Sequence, residues 1–304
     1  MQKSDNVKAI GMSHTSKGPS KTAETIAMVR AGESRRPEDE RICYDPYAIR
    51  FISQEVLEFA TNNPENYRAF LAQSERLVPG VRNSIIARVR YFDDVVKSSI
   101  GDGLEQLVIP GAGYDTRAYR IEGLKKIRVF EVDQPATQKR KVDKIKEIFG
   151  SLPSHVTYVS VDIGVDNLGE RLLENGYDRS LKTLFLMEGL FMYLPPGTVD
   201  ELLSFIVNNS GRSSAIVFDY IPQSVVDGTC ELEAGRNWRK GVMDVGEPFM
   251  SGIKEGEIEN FLTLRGFSKI ENVTSKDYRK MYFSGKNEGR EMNSLLSFAY
   301  AAVE

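Results

Sequence analysis

The 304-residue sequence is poor in the residues that build metal and disulfide sites, with two cysteines and two histidines. The only thiols are Cys43 and Cys230, and so few cysteines are typical of proteins in a reducing compartment. We therefore expect a cytoplasmic protein without disulfides. His14 and His155 are the only imidazoles, and four scattered ligands of these types do not predict a zinc site. We therefore expect no bound metal.

Long apolar runs and an excess of basic residues are also missing. No stretch approaches the roughly 18 apolar residues that a membrane-spanning helix needs, and the polar start lacks the pattern of a signal peptide. A net charge of −3 argues against a nucleic-acid surface. At 41% hydrophobic and 27% charged residues, the composition is that of a globular protein with a full core. We expect neither a membrane nor a nucleic-acid partner.

Two phosphate-binding signatures are incomplete or absent. The sequence has no G-x-x-x-x-G-K-[ST] loop, and Thr116 stands where the dinucleotide motif G-x-G-x-x-G has its third glycine. What is present is an apolar run, residues 106–109, followed by Pro110 and a turn through Gly111 and Gly113. This pattern indicates a strand, a tight turn and a short helix, the first unit of a nucleotide-binding sheet or an ordinary turn between a strand and a helix.

An acidic residue at the end of the second predicted strand favours an adenosine ligand. Residues 127–132 form that strand, and Asp133 follows about 20 residues after Gly111, the offset at which an acid bonds ribose hydroxyls. A dinucleotide also needs a helix amino end for its pyrophosphate. S-adenosylmethionine has no pyrophosphate, and its tail carries an ammonium and a carboxylate. The shortened glycine turn therefore favours S-adenosylmethionine over a nicotinamide cofactor.

Strands alternate with helices over the rest of the chain. We predict seven strands, at residues 106–109, 127–132, 157–161, 182–187, 215–218, 267–273 and 278–283, and a last helix at 292–303. This order predicts an α/β fold with a doubly wound, mostly parallel, Rossmann-like methyltransferase sheet and an antiparallel edge. Residues 1–100 are mostly helical and are expected to form a cap, with a mobile start at 1–20, before a core at 101–304. Residues 223–254 are predicted to be irregular.

Four carboxylates, Asp133, Asp162, Glu188 and Asp219, each follow a predicted strand directly. Ligands of open α/β sheets bind at the carboxyl ends of the strands, so these residues predict one acidic cleft. A carboxylate after a buried run is costly to desolvate without a partner. The alternative for each is a helix N-cap, and glutamate is the poorest residue for that role.

Several of these stretches together resemble the leucine carboxyl methyltransferase family, in particular its prokaryotic branch of S-adenosylmethionine-dependent O-methyltransferases. The similarity runs in family order over about half the chain. The matching stretches are Asp45-Pro46-Tyr47-Ala48, Ala87-Arg88-Val89, GAGYDTRAYR after Pro110, VFEVDQP (residues 129–135), VSVDI (159–163) and MEGLFMYL (187–194).

The resemblance implies a role for each site residue. Arg88, Gly111 and Gly113 would surround the methionine tail, Asp133 would bind the ribose, and Asp162 with the backbone of Ile163 would bind adenine. Glu188 would contact the ammonium or border the methyl group, and Tyr193 would face the methyl acceptor; these two are the expected catalytic residues. Pro110 departs from the family pattern and removes one backbone donor, and Ile163 is often leucine.

Methyl transfer from a sulfonium requires alignment and exclusion of water, and a carboxylate or acidic hydroxyl acceptor needs no general base. The sequence offers no well-placed histidine, since His155 precedes the third strand. We therefore predict transfer to an acidic oxygen of a small molecule or a protein C-terminus. Arg236, Arg239 and Lys240 beside Trp238 could bind an anionic acceptor or form a basic surface loop.

Two other classes of function stay open at this point. An NAD(P)-dependent oxidoreductase shares the glycine turn and the acid of the second strand, although the missing third glycine disfavours it. A non-catalytic S-adenosylmethionine-binding protein would keep Asp133 and Asp162 but bind no acceptor. The identity of the cofactor that raises the melting temperature would distinguish an oxidoreductase from a methyltransferase. Methyl turnover would distinguish a methyltransferase from a protein that only binds S-adenosylmethionine.

Overall fold

A seven-stranded sheet forms the centre of the protein in the computed structural model, which describes residues 18–163 and 165–303. His14 and most of the start predicted to be mobile lie outside the described residues. The strand order is β3-β2-β1-β4-β5-β7-β6. The bounds are β1 Gln106–Pro110, β2 Arg128–Asp133, β3 Val156–Ser160, β4 Thr183–Met187, β5 Ala215–Tyr220, β6 Phe267–Val273 and β7 Ser297–Val303.

Strands β1 to β5 are parallel, and β7 runs antiparallel to both β5 and β6. The predicted α/β class and the antiparallel edge are confirmed. The helices before β1 are α1 Lys21–Ser34, α2 Gln54–Asn62, α3 Pro64–Leu77 and α4 Val81–Gly101. Those after it are α5 Arg117–Arg120, α6 Pro135–Phe149, α7 Leu168–Glu174, α8 Pro196–Asn208, α9 Gln223–Asp227, α10 Glu233–Asp244, α11 Ile258–Thr263 and α12 Ser275–Tyr282.

Helices cover both faces of the sheet, which explains why all five residues of β1 are buried. Leu107 and Ile109 pack with α4 on one face, and Val108 packs with α8 on the other. This double burial gives β1 a continuous apolar sequence instead of an alternating one. None of the helices in the described part of the chain is long and apolar enough to cross a membrane.

The two C-terminal elements differ from their prediction. Residues 278–283, predicted as a strand, form the end of α12 and its C-cap, Phe283. The start of α12 has a capping box in which Thr274 and Asp277 bond each other's backbone. Residues 292–303, predicted as a helix, contain strand β7 instead. The alanines of β7 favour a helix in isolation, but pairing with β5 and β6 on both sides outweighs that preference.

The region between β5 and β6 is more ordered than predicted. Residues 223–254, expected to be irregular, contain helices α9 and α10. The fifth strand also extends two residues beyond its predicted end, so Asp219 lies inside β5 and pairs in register with Phe298. The sheet therefore fixes the position of Asp219, which does not lie on a loop after the strand.

The helices before the sheet differ in how they pack. Neither α2 nor α3 has a buried residue, whereas α4 packs directly against β4 and β5. Asp45 connects this region to the glycine turn, because its Oδ1 accepts the N–H groups of Tyr47 and Ala48 and its Oδ2 accepts the Thr116 hydroxyl. The residues after Asp45 form a single 3-10 turn, Ala48–Phe51.

Candidate active site

The glycine turn after β1 requires residues without a Cβ. Gly111 and Gly113 have φ values of +64° and +45°, in the left-handed region. A Cβ on Gly111 would lie 2.9 Å from Cδ1 of Leu190. Pro110 donates no hydrogen bond, and the Ala112 N–H bonds the Val132 carbonyl at 2.9 Å. The turn is thus held against the end of β2.

Asp133 lies at the end of β2 and points toward this turn. Its Oδ2 accepts the N–H of Gly113, and its Oδ1 accepts the N–H of Gln134 at 2.7 Å. Burial raises the pKa of Asp133, and the two N–H groups oppose that rise. A carboxylate can accept about four hydrogen bonds, so acceptor capacity is left for a ligand. The N-cap position of α6 belongs to Gln134, so Asp133 is not the N-cap of that helix.

Arg88 on α4 joins the ends of β4 and β5. Its Nη1 donates to Asp219 Oδ2 at 2.6 Å, and its Nε and Nη2 lie 3.2 Å from Glu188 Oε1. Asp219 Oδ1 also accepts the Gly189 N–H at 2.6 Å, which holds the turn after Glu188. A guanidinium has five N–H groups, so these bonds leave Arg88 one donor on each terminal nitrogen.

A second guanidinium, that of Arg117 on α5, binds the other oxygen of Glu188. Arg117 is 1% exposed, and its Nη1 contacts both Asp115 and Glu188 Oε2, the latter at 2.6 Å. Its Nε donates to Asp93 on α4 at 2.7 Å, and Asp93 is shared with Arg120. These residues form one buried network of alternating charges, in which Glu188 bridges two arginines.

The arginines determine the protonation of this network. Burial alone would raise the pKa of Glu188, but Arg117 and Arg88 outweigh burial and hold that pKa below its usual range. Burial likewise acts on Asp115, and Arg117 brings the pKa of its carboxyl down to about 2. Glu188 is therefore an ionised carboxylate at neutral pH, suited to contact a cation and unsuited to accept a proton.

Asp162 and Ile163 lie away from this network. Asp162 is exposed, its backbone N–H bonds Asp166, and its side chain has no partner among the described residues. Ile163 forms an isolated bridge with Asp166. The prediction of one acidic cleft is wrong, because arginines neutralise Glu188 and Asp219 while Asp162 stays in solvent. The four carboxylates do lie at one edge of the sheet, as the parallel topology requires.

The first turn of α1 crosses the glycine turn. A Cβ on Gly113 would lie 3.2 Å from that of Ala23, and the Ser20 N–H donates to Thr137 Oγ1 at 3.0 Å. The Thr22 hydroxyl donates to Glu247, which lies between α10 and β6. The amino end of α1 therefore contacts the glycine turn, helix α6 and the segment that carries Glu247.

Tyr193 lies in the 3-10 turn Phe191–Tyr193 after β4 and is half-buried. Burial raises the pKa of Tyr193, and the carboxylate of Glu247 adds to the rise while Arg88 opposes it. The hydroxyl has no hydrogen-bond partner among the described residues and is neutral at physiological pH. It can therefore donate to or accept from a ligand.

The basic residues beside Trp238 bind elements of their own segment. Arg236 Nη1 donates to the carbonyls of Cys230 and Glu231, and Arg239 Nε donates to that of Val226. Lys240 pairs with Asp244 at 2.5 Å. The hypothesis that they bind an anionic acceptor gains no support from this arrangement. His155 is also remote, because it precedes β3 and its Nε2 contacts the Ala118 carbonyl at 2.9 Å.

Sequence reasoning did not identify Asp93, Asp115, Arg117 and Arg120 as parts of the site. One signal was available for Asp93, a charged residue that follows Phe92 on a helix whose buried residues are mostly apolar. Arg117 is the first residue of the short helix α5. It is buried against three carboxylates, of which only Asp115 is close in sequence, whereas Asp93 and Glu188 come from distant elements.

Comparison with known proteins finds methyltransferases that are similar to this chain in sequence and in fold. The family model described as "Leucine carboxyl methyltransferase" matches residues 23–207. A Mycobacterium avium (strain 104) protein named "Putative S-adenosyl-L-methionine-dependent methyltransferase" is 31% identical over 257 residues, covering 82% of this chain and 84% of its own length. A protein of that description from Bacillus subtilis (strain 168), YktD, is 29% identical, covering 83% and 82%.

Among solved structures, a "putative methyltransferase" from Thermobifida fusca YX aligns with a TM-score of 0.59 at 17% identity. The alignment covers 79% of this chain and 89% of that one. A duf574 family protein from Streptomyces avermitilis MA-4680 also aligns with a TM-score of 0.59, at 13% identity, covering 91% and 97%. At these identities the likeness shows the fold alone.

Proposed function

The chain belongs to the leucine carboxyl methyltransferase family, and we propose that it transfers methyl to an acidic oxygen, a carboxylate or an acidic hydroxyl. It is an S-adenosylmethionine-dependent methyltransferase, so the donor is S-adenosylmethionine, whose sulfonium supplies an electrophilic methyl group. The acceptor is a small molecule or a protein C-terminus. The division into a cap of residues 1–100 and a core of 101–304 stays a prediction.

The residues at the strand ends fit the donor. Arg88 keeps two free N–H groups for the tail carboxylate, and ionised Glu188 offers its charge to the tail ammonium. Gly111 and Gly113 let the backbone come close, since neither carries a Cβ. In this proposal Asp133 accepts the ribose hydroxyls, and exposed Asp162 with the Ile163 backbone binds adenine.

Thr116 supports a methyl donor over NAD(P). Its hydroxyl donates to Asp45 at 2.7 Å, and the residue is buried at the position where a pyrophosphate turn has glycine. A dinucleotide requires that position to stay small, because its pyrophosphate approaches the helix there. The alternative of an oxidoreductase is therefore set aside.

The observation that carries the choice of an acidic oxygen is that, among the described residues, neither the strand-end carboxylates Glu188 and Asp219 nor His155 is a free base. Glu188 and Asp219 are both bound to Arg88. His155 precedes β3, at the amino ends of the parallel strands, and contacts the Ala118 carbonyl. Without a base, the acceptor oxygen must ionise by itself, as carboxylates and acidic hydroxyls do. The chain then contributes orientation and exclusion of water.

His155→Ala tests this base-free mechanism once an acceptor is in hand. We expect kcat/KM to change by less than about threefold, because a general base contributes about a hundredfold or more. The dissociation constant of S-adenosylhomocysteine and the melting temperature serve as controls. A hundredfold loss of kcat/KM with both controls intact would show that His155 is the base and that this account of the acceptor is wrong.

A further inference from the structure

Three aromatic rings meet at Phe249, and we call Tyr193, Trp238 and Phe249 the aromatic corner. Phe249 is 7% exposed, and its ring centroid lies 5.4 Å from Tyr193 and 5.5 Å from Trp238. The interplanar angles are 43° and 86°, so the two half-buried rings meet Phe249 in different planes. Such an arrangement offers both a ring face and a ring edge to a flat ligand.

The backbone fixes the aromatic corner beside the donor residues. The N–H groups of Met250 and Ser251 both donate to the Met192 carbonyl, at 2.7 and 3.2 Å. The segment carrying Phe249 is therefore bonded to the turn that carries Tyr193. Tyr193 in turn lies within the electrostatic field of Arg88 and Asp219.

The carboxylate of Glu247, two residues before Phe249, acts on Tyr193 at this corner. Its Oε2 accepts the Thr22 hydroxyl, and no lysine or arginine forms an ion pair with it within residues 18–163 and 165–303. The charge of Glu247 reaches Tyr193, where it contributes to the raised pKa of the phenol. A carboxylate bonded only to a neutral hydroxyl keeps acceptor capacity for a positively charged group.

The cations of the same segment do not pair with Glu247. Arg236 and Arg239 donate to backbone carbonyls, and Lys240 pairs with Asp244. Glu247 therefore has no cation of its own among the described residues, and its charge would repel the carboxylate of an acceptor. The charges there favour a cationic ligand, which the aromatic ring faces also attract.

We propose that the acceptor is a phenol that carries an amine, with its ring in the aromatic corner and its ammonium group paired with Glu247. This rests on the proposed function and narrows its acidic oxygen to a phenolic hydroxyl. The phenol loses its proton to water, and the phenolate oxygen forms the new O–CH3 bond with its own electron pair. The bond between the methyl carbon and sulfur breaks with its pair left on sulfur, giving a neutral thioether.

Tyramine and 4-hydroxyphenylacetate form a matched pair of probes, because they share the phenol ring and differ in the charge of the side chain. Calorimetry on the full chain loaded with S-adenosylhomocysteine should show tyramine binding at least about tenfold tighter. At pH 9, where more of a phenol with a pKa of about 10 is ionised, tyramine should receive a labelled methyl on oxygen.

Glu247→Gln keeps the hydrogen bond from Thr22 and removes the charge. It should weaken tyramine binding about tenfold and leave S-adenosylhomocysteine binding unchanged. Glu231→Gln is the matched control, since Glu231 is an exposed carboxylate on the same segment and should change neither affinity. An equal effect of the two substitutions would contradict a specific role for Glu247.

The outcomes separate this inference from the proposed function. Preferred methylation of 4-hydroxyphenylacetate on its carboxylate would overturn the inference and leave transfer to an acidic oxygen in place. Methylation of tyramine on nitrogen would overturn transfer to oxygen itself. Failure of tyramine to bind the loaded protein, or binding without methylation, would show that the aromatic corner selects another class of acceptor.

Discussion

Replacing Arg117 by methionine tests the buried charge network at its most connected residue. The guanidinium contacts Asp93, Asp115 and Glu188, and it also donates to the Val89 carbonyl at 3.2 Å. Methionine keeps an unbranched apolar stem but is shorter and uncharged, so the substitution removes these contacts and vacates the space of the guanidinium. The three carboxylates would then stay buried with less compensation.

The size of the effect follows from which carboxylates keep a partner. Asp93 keeps both contacts with Arg120, and Glu188 keeps Arg88. Only Asp115 loses its guanidinium altogether. The cost should therefore resemble that of breaking one buried ion pair, about 3–5 kcal/mol in the free energy of unfolding, and should not reach three times that amount. Typical domains have about 5–15 kcal/mol in total, so the variant can still fold.

The pH dependence gives a second, independent readout. In the natural protein the pKa of Asp115 is about 2, below its ordinary value of 3.8, so its stabilising contribution is complete above pH 3.8 and is lost as pH falls toward 2. Without Arg117, burial dominates and should raise that pKa above its ordinary value. Protonation of Asp115 then removes the cost of its buried charge in the variant. The difference in the free energy of unfolding between the natural protein and the variant should therefore be smaller at pH 4 than at pH 7.

Urea unfolding followed by far-ultraviolet circular dichroism at both pH values would measure this difference. Lys139→Met is the control, because it removes an exposed lysine that pairs with Asp143 on α6 and should change stability little. A loss below about 1 kcal/mol for Arg117→Met, or a gap that widens as pH falls, would show that the network is not held by Arg117 as described.

Two further substitutions probe the turn and the packing of α12. Gly111→Ala should cost about 1–2 kcal/mol and weaken S-adenosylhomocysteine binding, because it places a Cβ at positive φ against Leu190; unchanged calorimetry would contradict this. Tyr278→Phe should cost about 1–3 kcal/mol in urea unfolding without changing donor affinity, because the buried hydroxyl contacts Ser84 and the Asn293 carbonyl at 2.8 and 3.0 Å. A change in donor affinity would mean that α12 acts on the site.

Much of the fold could be predicted because the parallel strands are buried on both faces and end at glycine, proline or acidic residues. Strand β1 and the turn at Gly111 are examples in which local chemistry and tertiary position agree. The exchange of strand and helix at the C-terminus shows where they disagree. The alanines of β7 carry no local strand preference, and its place between β5 and β6 is a long-range property.

The residues of the candidate site also divide into those that the sequence predicted and those that it did not. Positions at strand ends could be named from the sequence because parallel topology brings strand ends to one edge. Of the arginines that pair with them, Arg88 was named only through the family resemblance and Arg117 was not named, since both lie on helices where arginine usually faces solvent. The sequence therefore predicted an acidic cleft, whereas the folded protein has a network of paired charges.

The heat of binding of S-adenosylmethionine, S-adenosylhomocysteine and NAD to the natural protein tests the central claim most directly. We expect the first two to bind and NAD not to bind. Asp133→Ala should weaken both about tenfold or more through loss of the ribose contacts, and Asp143→Ala, an exposed carboxylate on α6, should have no effect. Binding of NAD alone, or full donor affinity in Asp133→Ala, would contradict the assignment of the glycine turn and of Asp133 to this donor.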